Sequence, residues 1–508
     1  MAASLKVRAS LSVKNPIRNQ KKMKVSVIKY FLVIGILVSF SFSSSETKSS
    51  EKQVNDKPNI IVLLCDDLGY GDLSSFGHPF IETPNLDKLG ATGIKLTNFY
   101  SAAPVCSPSR VGLLTGRSPN RAGIYDFIPS PKKSEDIRDL VHLQAHEQTI
   151  PALLKTVGYS TCLVGKWHGS SKFNSDEQPK PDHFGFDHWM ATHNNAGPSH
   201  QNPKNFVRNG EKVGEIIGFS SQIIVSEAID WLEKKENDNP FFLEVAFHEP
   251  HEPIMSPENL VQKYLKYTDI REEAEYFANV ENVDIAVGRL LAYLEEKNID
   301  NTLIVFSSDN GPETLHRYPG AKKNYGITAG LKGRKLWTSE AGIRVPAVMK
   351  WIGKETYTGT SDAVVSSLDF LPTFCELTGA KLPENELDGE SFKSLLDKGK
   401  FERSSPLIWA FYDAINEHRV AMRTGDYKIM ARLVAENEEL PHIHNLYDGN
   451  IDFVKGAKLT DFVLFDLTKD FAESEDLSAV EPKIFKKVKK EFEAEYKDLL
   501  AGSHVWTR

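Results

Sequence analysis

Pro58-Asn59-Ile60-Ile61-Val62-Leu63-Leu64-Cys65-Asp66-Asp67-Leu68-Gly69 is the stretch whose reading decides the fold. Its apolar run has strand length and no alternation, which fits a strand covered on both faces, as in a parallel sheet. It stops at two adjacent carboxylates. Neighbouring carboxylates at a strand's carboxyl end repel each other unless a cation or hydrogen-bond donors compensate them, and a hard ion such as Ca²⁺ or Mg²⁺ would do so. A solvated Asp-Asp turn beside glycine is the plainer alternative.

The same grammar recurs along the chain. Ser160–Val164, Phe241–Phe247 and Asn301–Ser308 read as further strands, ending at Gly165-Lys166-Trp167-His168-Gly169, His248-Glu249-Pro250-His251-Glu252-Pro253 and Asp309-Asn310-Gly311-Pro312. Helices are expected from Thr83-Pro84 onward, from Thr149-Ile150-Pro151 to Gly158, over Val225–Lys234, over Ala274–Glu296 and over Val364–Leu377. N-cap threonines, early prolines and closing glycines mark several of their ends. Strand–helix alternation with helix-length connections describes a mostly parallel α/β sheet, whose strand carboxyl ends line a ligand crevice. Four strands deliver ionisable groups to that one edge.

After Gly379 the texture changes. Short alternating runs at Leu407–Tyr412, Arg419–Met422 and Asp426–Met430 predict a small antiparallel sheet. Ile484, Val488, Phe492, Tyr496 and Leu499 form one stripe of an amphipathic helix over Pro482–Leu500. The expected organisation is a signal peptide over 1–45, a linker over 46–57, a catalytic domain over 58–380 and a C-terminal subdomain over 381–508.

Residues 1–45 hold eight Lys or Arg and no acid, and the apolar run Tyr30–Phe42 is short for a membrane span but suits a secretory leader. Its start is Met1 or Met23, and an uncleaved anchor helix is the minor alternative. The protein is therefore expected to be exported, to the periplasm or the extracellular space, and not held in a membrane after cleavage. Removing eight cations from a formal charge of −8 leaves about −16, an acidic body that argues against nucleic-acid binding. The four cysteines, Cys65, Cys106, Cys162 and Cys375, have neither metal-ligand nor disulfide-framework spacing.

Cys106 differs from the others in its setting, Pro104-Val105-Cys106-Ser107-Pro108-Ser109-Arg110-Val111-Gly112-Leu113-Leu114-Thr115-Gly116-Arg117. Ser107 suits an N-cap, Pro108 the first helical position and Gly116 a stop. A helix N-terminus is an anion site and would favour thiolate, so Cys106 reads as a nucleophile or as an inert buried thiol, with Arg110 one turn further in.

Cys-x-Pro-Ser-Arg followed by Thr-Gly-Arg resembles the signature of the type I sulfatases of the alkaline phosphatase superfamily, in which the cysteine is converted to formylglycine. The resemblance runs from about Asn59 to about Leu477. It implies an alkaline phosphatase-like fold: a large mixed, mostly parallel sheet sandwiched by helices, with a smaller C-terminal α+β subdomain. It implies one Ca²⁺ per chain, in preference to Mg²⁺, on Asp66, Asp67, Asp309, Asn310 and the modified Cys106. Gly165–Gly169 resembles the family's Gly-Lys-Trp-His-Leu-Gly without its Leu, which assigns Lys166 and His168. His251 matches the family's His-x-Pro element; His248 fits it less well and is either a residue supporting the site from behind or a subsite residue. Leu331-Lys332-Gly333-Arg334-Lys335 resembles Leu-Arg-Gly-x-Lys, which makes Lys335 a sulfate-binding lysine.

By that resemblance a hydroxyl of the formylglycine hydrate attacks sulfur, Asp309 takes its proton, and Lys166, Lys335 and the ion hold the sulfate. His251 protonates the leaving alcohol, His168 deprotonates the second hydroxyl, and Arg110 holds the hydrate. The implied partners are a sulfated carbohydrate, from a polysaccharide or glycosaminoglycan, and a formylglycine-generating enzyme. His193, in the insert Met190–His200, and His316 and Arg317, in Glu313–Tyr325, are candidates for sugar subsites. Two alternatives stand: a catalytically silent sulfated-glycan binder with Cys106 unmodified, and a phosphate mono- or diesterase. The second usually holds two zinc ions through several histidines, whereas this chain offers one hard-metal set.

Overall fold

The apolar run becomes strand Asn59–Cys65, near the middle of a ten-stranded sheet among the described residues. The structure, a computed structural model, describes residues 57–131, 137–235, 237–435 and 438–508; the expected signal peptide and all but Lys57 of the expected linker lie outside them. Five strands run parallel, in the order Thr302–Ser308, Asn59–Cys65, Phe241–Ala246, Ser160–Lys166 and His188–Thr192. Ala347–Ile352 joins Thr302–Ser308 antiparallel, and Val207–Arg208 with Glu211–Lys212 makes an antiparallel far edge.

Strict alternation divides the central strand between two cores. Ile60, Val62 and Leu64 enter one; Ile61, Leu63 and Cys65 enter the other. Helices Cys106–Thr115 and Phe370–Thr378 supply the first core, and Ser220–Lys234 and Arg271–Glu296 the second. The run is continuously apolar because both of its faces are covered. Each such side chain contributes about 1.5–3 kcal/mol on burial.

Three local expectations change. His188–Thr192 is a fifth parallel strand, so Met190, Ala191 and Thr192 belong to the sheet and the insert proper starts at His193. The helix expected from Val364 begins only at Phe370; Val365–Ser366 pairs with Phe99–Tyr100, and a capping box between Ser366 and Asp369 restarts the chain. Strand Lys458–Asp466, which the sequence pattern does not predict, lies on Tyr427–Ala435.

The C-terminal antiparallel sheet contains Leu407–Ala410, Val420–Thr424, Tyr427–Ala435, Glu438–Glu439 and that added strand. Helix Pro482–Gly502 buries Val488, Phe492, Tyr496 and Leu499 in its core, as the stripe requires. A buried ion cluster ties this sheet to strand Phe99–Tyr100 and helix Glu340–Ile343. Glu340 receives Lys428 Nζ at 3.0 Å and the Tyr100 hydroxyl at 2.7 Å, Arg344 stands 3.3 Å away, and Lys428 reaches Glu473 at 2.9 Å. Burial opposes ionisation of Glu340, but Lys428 and Arg344 outweigh it and hold its carboxyl below the usual range.

Glu340→Gln leaves buried cations short of their counter-charge, and we expect a loss of about 3–5 kcal/mol. Denaturant unfolding would read it as a lower midpoint at constant slope. Because the folded pKa is depressed, the stabilisation is complete above the ordinary glutamate pKa of about 4.3 and disappears on acidification below it. The gap between the proteins therefore narrows at low pH.

Candidate active site

Register places the carboxylates side by side. Cys65 pairs with Ser308, so Asp66 and Asp309 are the next residues on adjacent parallel strands. The Asp309 N–H donates to the Cys65 carbonyl at 3.1 Å, and the Asp66 N–H to that of Glu249 at 3.1 Å. Asp67 turns into the left-handed region at φ 65°, and its N–H meets Asp309 Oδ1 at 3.3 Å. Gly165 holds the neighbouring strand end close: a Cβ there would lie 1.9 Å from the Ala246 carbonyl oxygen.

Each aspartate has a buried cation. Lys166 Nζ lies 2.6 Å from Asp66 Oδ2, Lys335 Nζ lies 2.7 Å from Asp67 Oδ1, and Arg110 Nε and Nη2 both lie 2.8 Å from Asp309 Oδ2. Burial raises all three carboxyls. At Asp66, Lys166, His251 and Arg110 outweigh burial and hold it well below the usual range. Asp67 and Asp309 stay above it despite Lys335 and Arg110. Arg110 thus serves Asp309 and the Lys166 carbonyl directly, the latter at 3.4 Å.

Cys106 faces this cluster, its Sγ within 4.8 Å of carboxylate oxygens of Asp66 and Asp309. The helix starts two residues earlier than expected. Cys106 is its first residue, Val105 is the N-cap, and Ser107 Oγ instead accepts the Ile128 N–H at 2.9 Å. Nor does the helix terminus make a thiolate: burial outweighs Lys166 and Lys335 and pushes the thiol up to about 11. As a bare thiol, Cys106 is a poor nucleophile at neutral pH.

The residues fit a hard cation. Asp66 Oδ1 and Asn310 Oδ1 are buried oxygens without a hydrogen-bond partner, while Asn310 Nδ2 donates to Asp67 Oδ1 at 2.7 Å. Oxygen donors of this kind suit Ca²⁺ or Mg²⁺ over zinc.

The histidines separate by their backbone partners. His168 Nε2 bonds the Ile128 carbonyl at 2.9 Å, leaving Nδ1 buried and unpartnered. Burial, then Lys166, keeps that ring well below the usual histidine range. His251 Nδ1 bonds the Glu252 carbonyl at 2.6 Å, so Nε2 is the atom 3.5 Å from Asp67. Burial, then Lys335, pushes His251 down to about 4. His248 is different: its nitrogens bond Thr192 Oγ1 and Ser220 Oγ, each at 2.7 Å, and its exposure is zero. Both ring atoms are used internally, so of the two readings of His248 the supporting one fits and the subsite one does not.

Two cavities flank the cluster. One of about 730 Å³ is lined by His316, Arg317, Tyr318, Lys322 and Tyr325, with Glu272. Arg317 forks onto Glu313 at 2.7 and 2.6 Å, and Glu313 stands 3.9 Å from Lys335. The other, of about 390 Å³, is lined by His193, Lys172 and Phe173, with His193 packed edge-on against His168. Two participants escape the sequence pattern: Glu313 as a partner of Lys335, and the Ile128 carbonyl. Glu313 opens the loop that ends at Tyr325, where its charge is the only signal, and the carbonyl carries no side-chain signal at all. Lys332, in the position usual for arginine, bonds the Glu473 carbonyl at 3.0 Å.

A family profile described as "Sulfatase" matches residues 58–380, and one described as "N-sulphoglucosamine sulphohydrolase, C-terminal" matches residues 333–501. Arylsulfatase A of Homo sapiens is 33% identical over 397 residues, covering 73% of this chain and 74% of that protein. N-acetylgalactosamine-6-sulfatase of Homo sapiens is 32% identical over 361 residues, covering 68% and 66%. The crystal structure of Ps i-CgsB in complex with k-i-k-neocarrahexaose superposes with a TM-score of 0.69 at 27% identity, covering 88% of this chain and 94% of that one. Cysteine, carboxylates and lysines meeting at one sheet edge agree with these matches: the chain belongs to the sulfatase family of the alkaline phosphatase superfamily and is a sulfuric ester hydrolase.

Proposed function

We propose that this sulfatase cleaves sulfate monoesters from a carbohydrate, using Cys106 matured to formylglycine and Ca²⁺ held by Asp66, Asp67, Asp309, Asn310 and residue 106. The observation that carries the reading is Cys106 Sγ, standing where the formylglycine oxygens would begin, within 4.8 Å of Asp66 and Asp309. When present, the ion and the aldehyde hydrate supply an activated oxygen nucleophile and a counter-charge for sulfate.

The chain's own residues do the rest. Lys166 and Lys335 bind the sulfate oxygens; at 1% and 4% exposure they act in a site from which water is largely excluded. Arg110 fixes Asp309 through Oδ2, and Oδ1, which accepts only the Asp67 N–H at 3.3 Å, has a second lone pair to accept a proton. His168, held neutral with Nδ1 free, is the base. His251 Nε2 is the acid toward the leaving alcohol, and it must gain that proton once the ester's negative charge lies beside it.

Carbohydrate as the substrate class rests on the flanking cavities, with His316 and Arg317 in one and His193 in the other. The names of the relatives, a GalNAc-6-sulfatase and a carrahexaose complex, support it. Export follows from the basic and apolar leader over 1–45. Among the described residues no helix is long and apolar enough to cross a membrane.

Lys335→Ala should lower kcat/KM for an aryl sulfate by about 10²–10³, in proportion to a lost charged donor in the transition state. Turnover of aryl phosphate above aryl sulfate by the parent enzyme would replace this reading with a phosphoesterase.

Mass spectrometry of the peptide carrying Cys106, from a host able to mature sulfatases, should find the thiol-to-aldehyde change. An intact thiol, with sulfated glycan bound but not cleaved, would leave a binder.

Chelation should lower the thermal midpoint, and Ca²⁺ should restore it in the parent but not in Asp309→Asn. Equal responses in both proteins would remove Asp309 from the ion site.

A further inference from the structure

The loop that follows Asp309-Asn310-Gly311-Pro312 brings an arginine back toward Lys335. Its pivot is Glu313, which is 2% exposed and has both carboxylate oxygens engaged. Oε1 accepts the Thr314 N–H and Arg317 Nε, each at 2.7 Å, and Oε2 accepts Arg317 Nη2 at 2.6 Å. The backbone turns to allow this fork: the Arg317 N–H donates to the Thr314 carbonyl at 3.2 Å, and His316 is left-handed at φ 61°. Lys335 is fastened to the same loop, its N–H donating to the Pro312 carbonyl at 2.9 Å.

Lys335 Nζ stands 3.9 Å from Glu313 Oε2, an ion pair beyond hydrogen-bond range. It lies 2.7 and 2.8 Å from the two oxygens of Asp67. An ammonium carries three donors, two of which can meet Asp67, so one is left for an anion entering the site. Glu313 would be a competitor for that donor if its oxygens were free, since it is buried and about 1 Å short of bonding it.

We propose that Arg317 is a positioning residue for sulfate: by occupying both oxygens of Glu313 it keeps that carboxylate off Lys335 and leaves the lysine's third donor to the ester. The inference rests on the sulfate role proposed for Lys335 and goes beyond the sugar-subsite role given to Arg317. Arg317 touches no reacting atom in it and acts only through Glu313. The grip depends on the planar fork of a guanidinium, which a lysine does not reproduce. Tyr318 restrains that fork from the side, its ring centroid 5.2 Å from the guanidinium carbon. Without the arginine, a buried carboxylate is left whose remaining ion-pair partner, among the described residues, is Lys335.

The test is a double-mutant cycle on the full chain, with Arg317→Gln and Glu313→Gln made singly and together. It is read by aryl sulfate kinetics and by calorimetric binding of inorganic sulfate. Arg317→Gln should raise KM for aryl sulfate and weaken sulfate binding by about tenfold, the scale of coupling within one ion-pair network, and Arg317→Lys should lose less. With Glu313 already Gln, the loss from Arg317→Gln should disappear. An arginine that only binds sugar would leave both readouts unmoved, and one that only supports the fold would cost the same in both backgrounds. Circular dichroism matching the parent's would establish that the variants fold; if Arg317→Gln does not, Arg317→Lys carries the same cycle. Equal losses in both backgrounds, or none in either, would overturn the proposal. Sulfate bound by the parent without turnover would remove the hydrolase reading instead, and the binding cycle alone would then decide the inference. No sulfate binding by the parent would overturn both.

Discussion

Three buried carboxylates, forced together by strand register, are the constraint on which the site depends. Cys65 opposite Ser308 puts Asp66 beside Asp309, and the left-handed turn at Asp67 brings a third acid back over the strand end. Like charges in a low-dielectric interior raise one another's pKa unless cations intervene. Lys166, Lys335 and Arg110 do intervene, one per aspartate, and each comes from a different element. The sheet edge is thus assembled as interlocked ion pairs in which no member can move alone. Two of these cations are also the groups suited to sulfate, so the arrangement that makes the acids tolerable also prepares the anion pocket.

Backbone carbonyls decide which ring nitrogen each histidine turns to the site. Ile128 occupies Nε2 of His168, and Glu252 occupies Nδ1 of His251, so the two rings offer opposite nitrogens to the site. A carbonyl only accepts, so each ring must carry its proton on the bonded nitrogen and turn the other inward. His248 marks the contrast, since two hydroxyls consume both of its nitrogens. His248 and His251, each followed by Glu-Pro, therefore stand in different environments despite the same local sequence.

The sheet is legible in the sequence because its signal is one-dimensional. A continuous apolar run with a charged group at its end needs no distant partner to be read, and Asp66, Asp67, Asp309, Asn310 and Lys166 stand at such ends; Lys335 is legible only through the resemblance of Leu331–Lys335 to the family's Leu-Arg-Gly-x-Lys. The helix start at Cys106 is displaced from its expected position because Ser107 and Pro108 both carry strong local preferences. Tertiary contact with Ile128 overrides them. The choice between a supporting and a subsite role for His248 is not legible in the sequence, because burial and partners are properties of the folded chain. Lys458–Asp466 is invisible in the sequence because its exposed first half has no apolar alternation, and it is a strand only through pairing with Tyr427–Ala435.

Charge shows why the pocket must be buried. The body is acidic, formally −8 for the whole chain, so a polyanionic substrate gains nothing from its net field. Beyond about 8–10 Å that field is screened in any case. Attraction has to be local, and a lysine binds an anion far more strongly where water is excluded than on a surface. Lys335 meets that requirement because Asp67 and its neighbours keep it well above its ordinary pKa against burial, and Lys166 is paired with Asp66 at 2.6 Å. The carboxylate cluster thus keeps charged, inside an acidic protein, a lysine that we propose for sulfate.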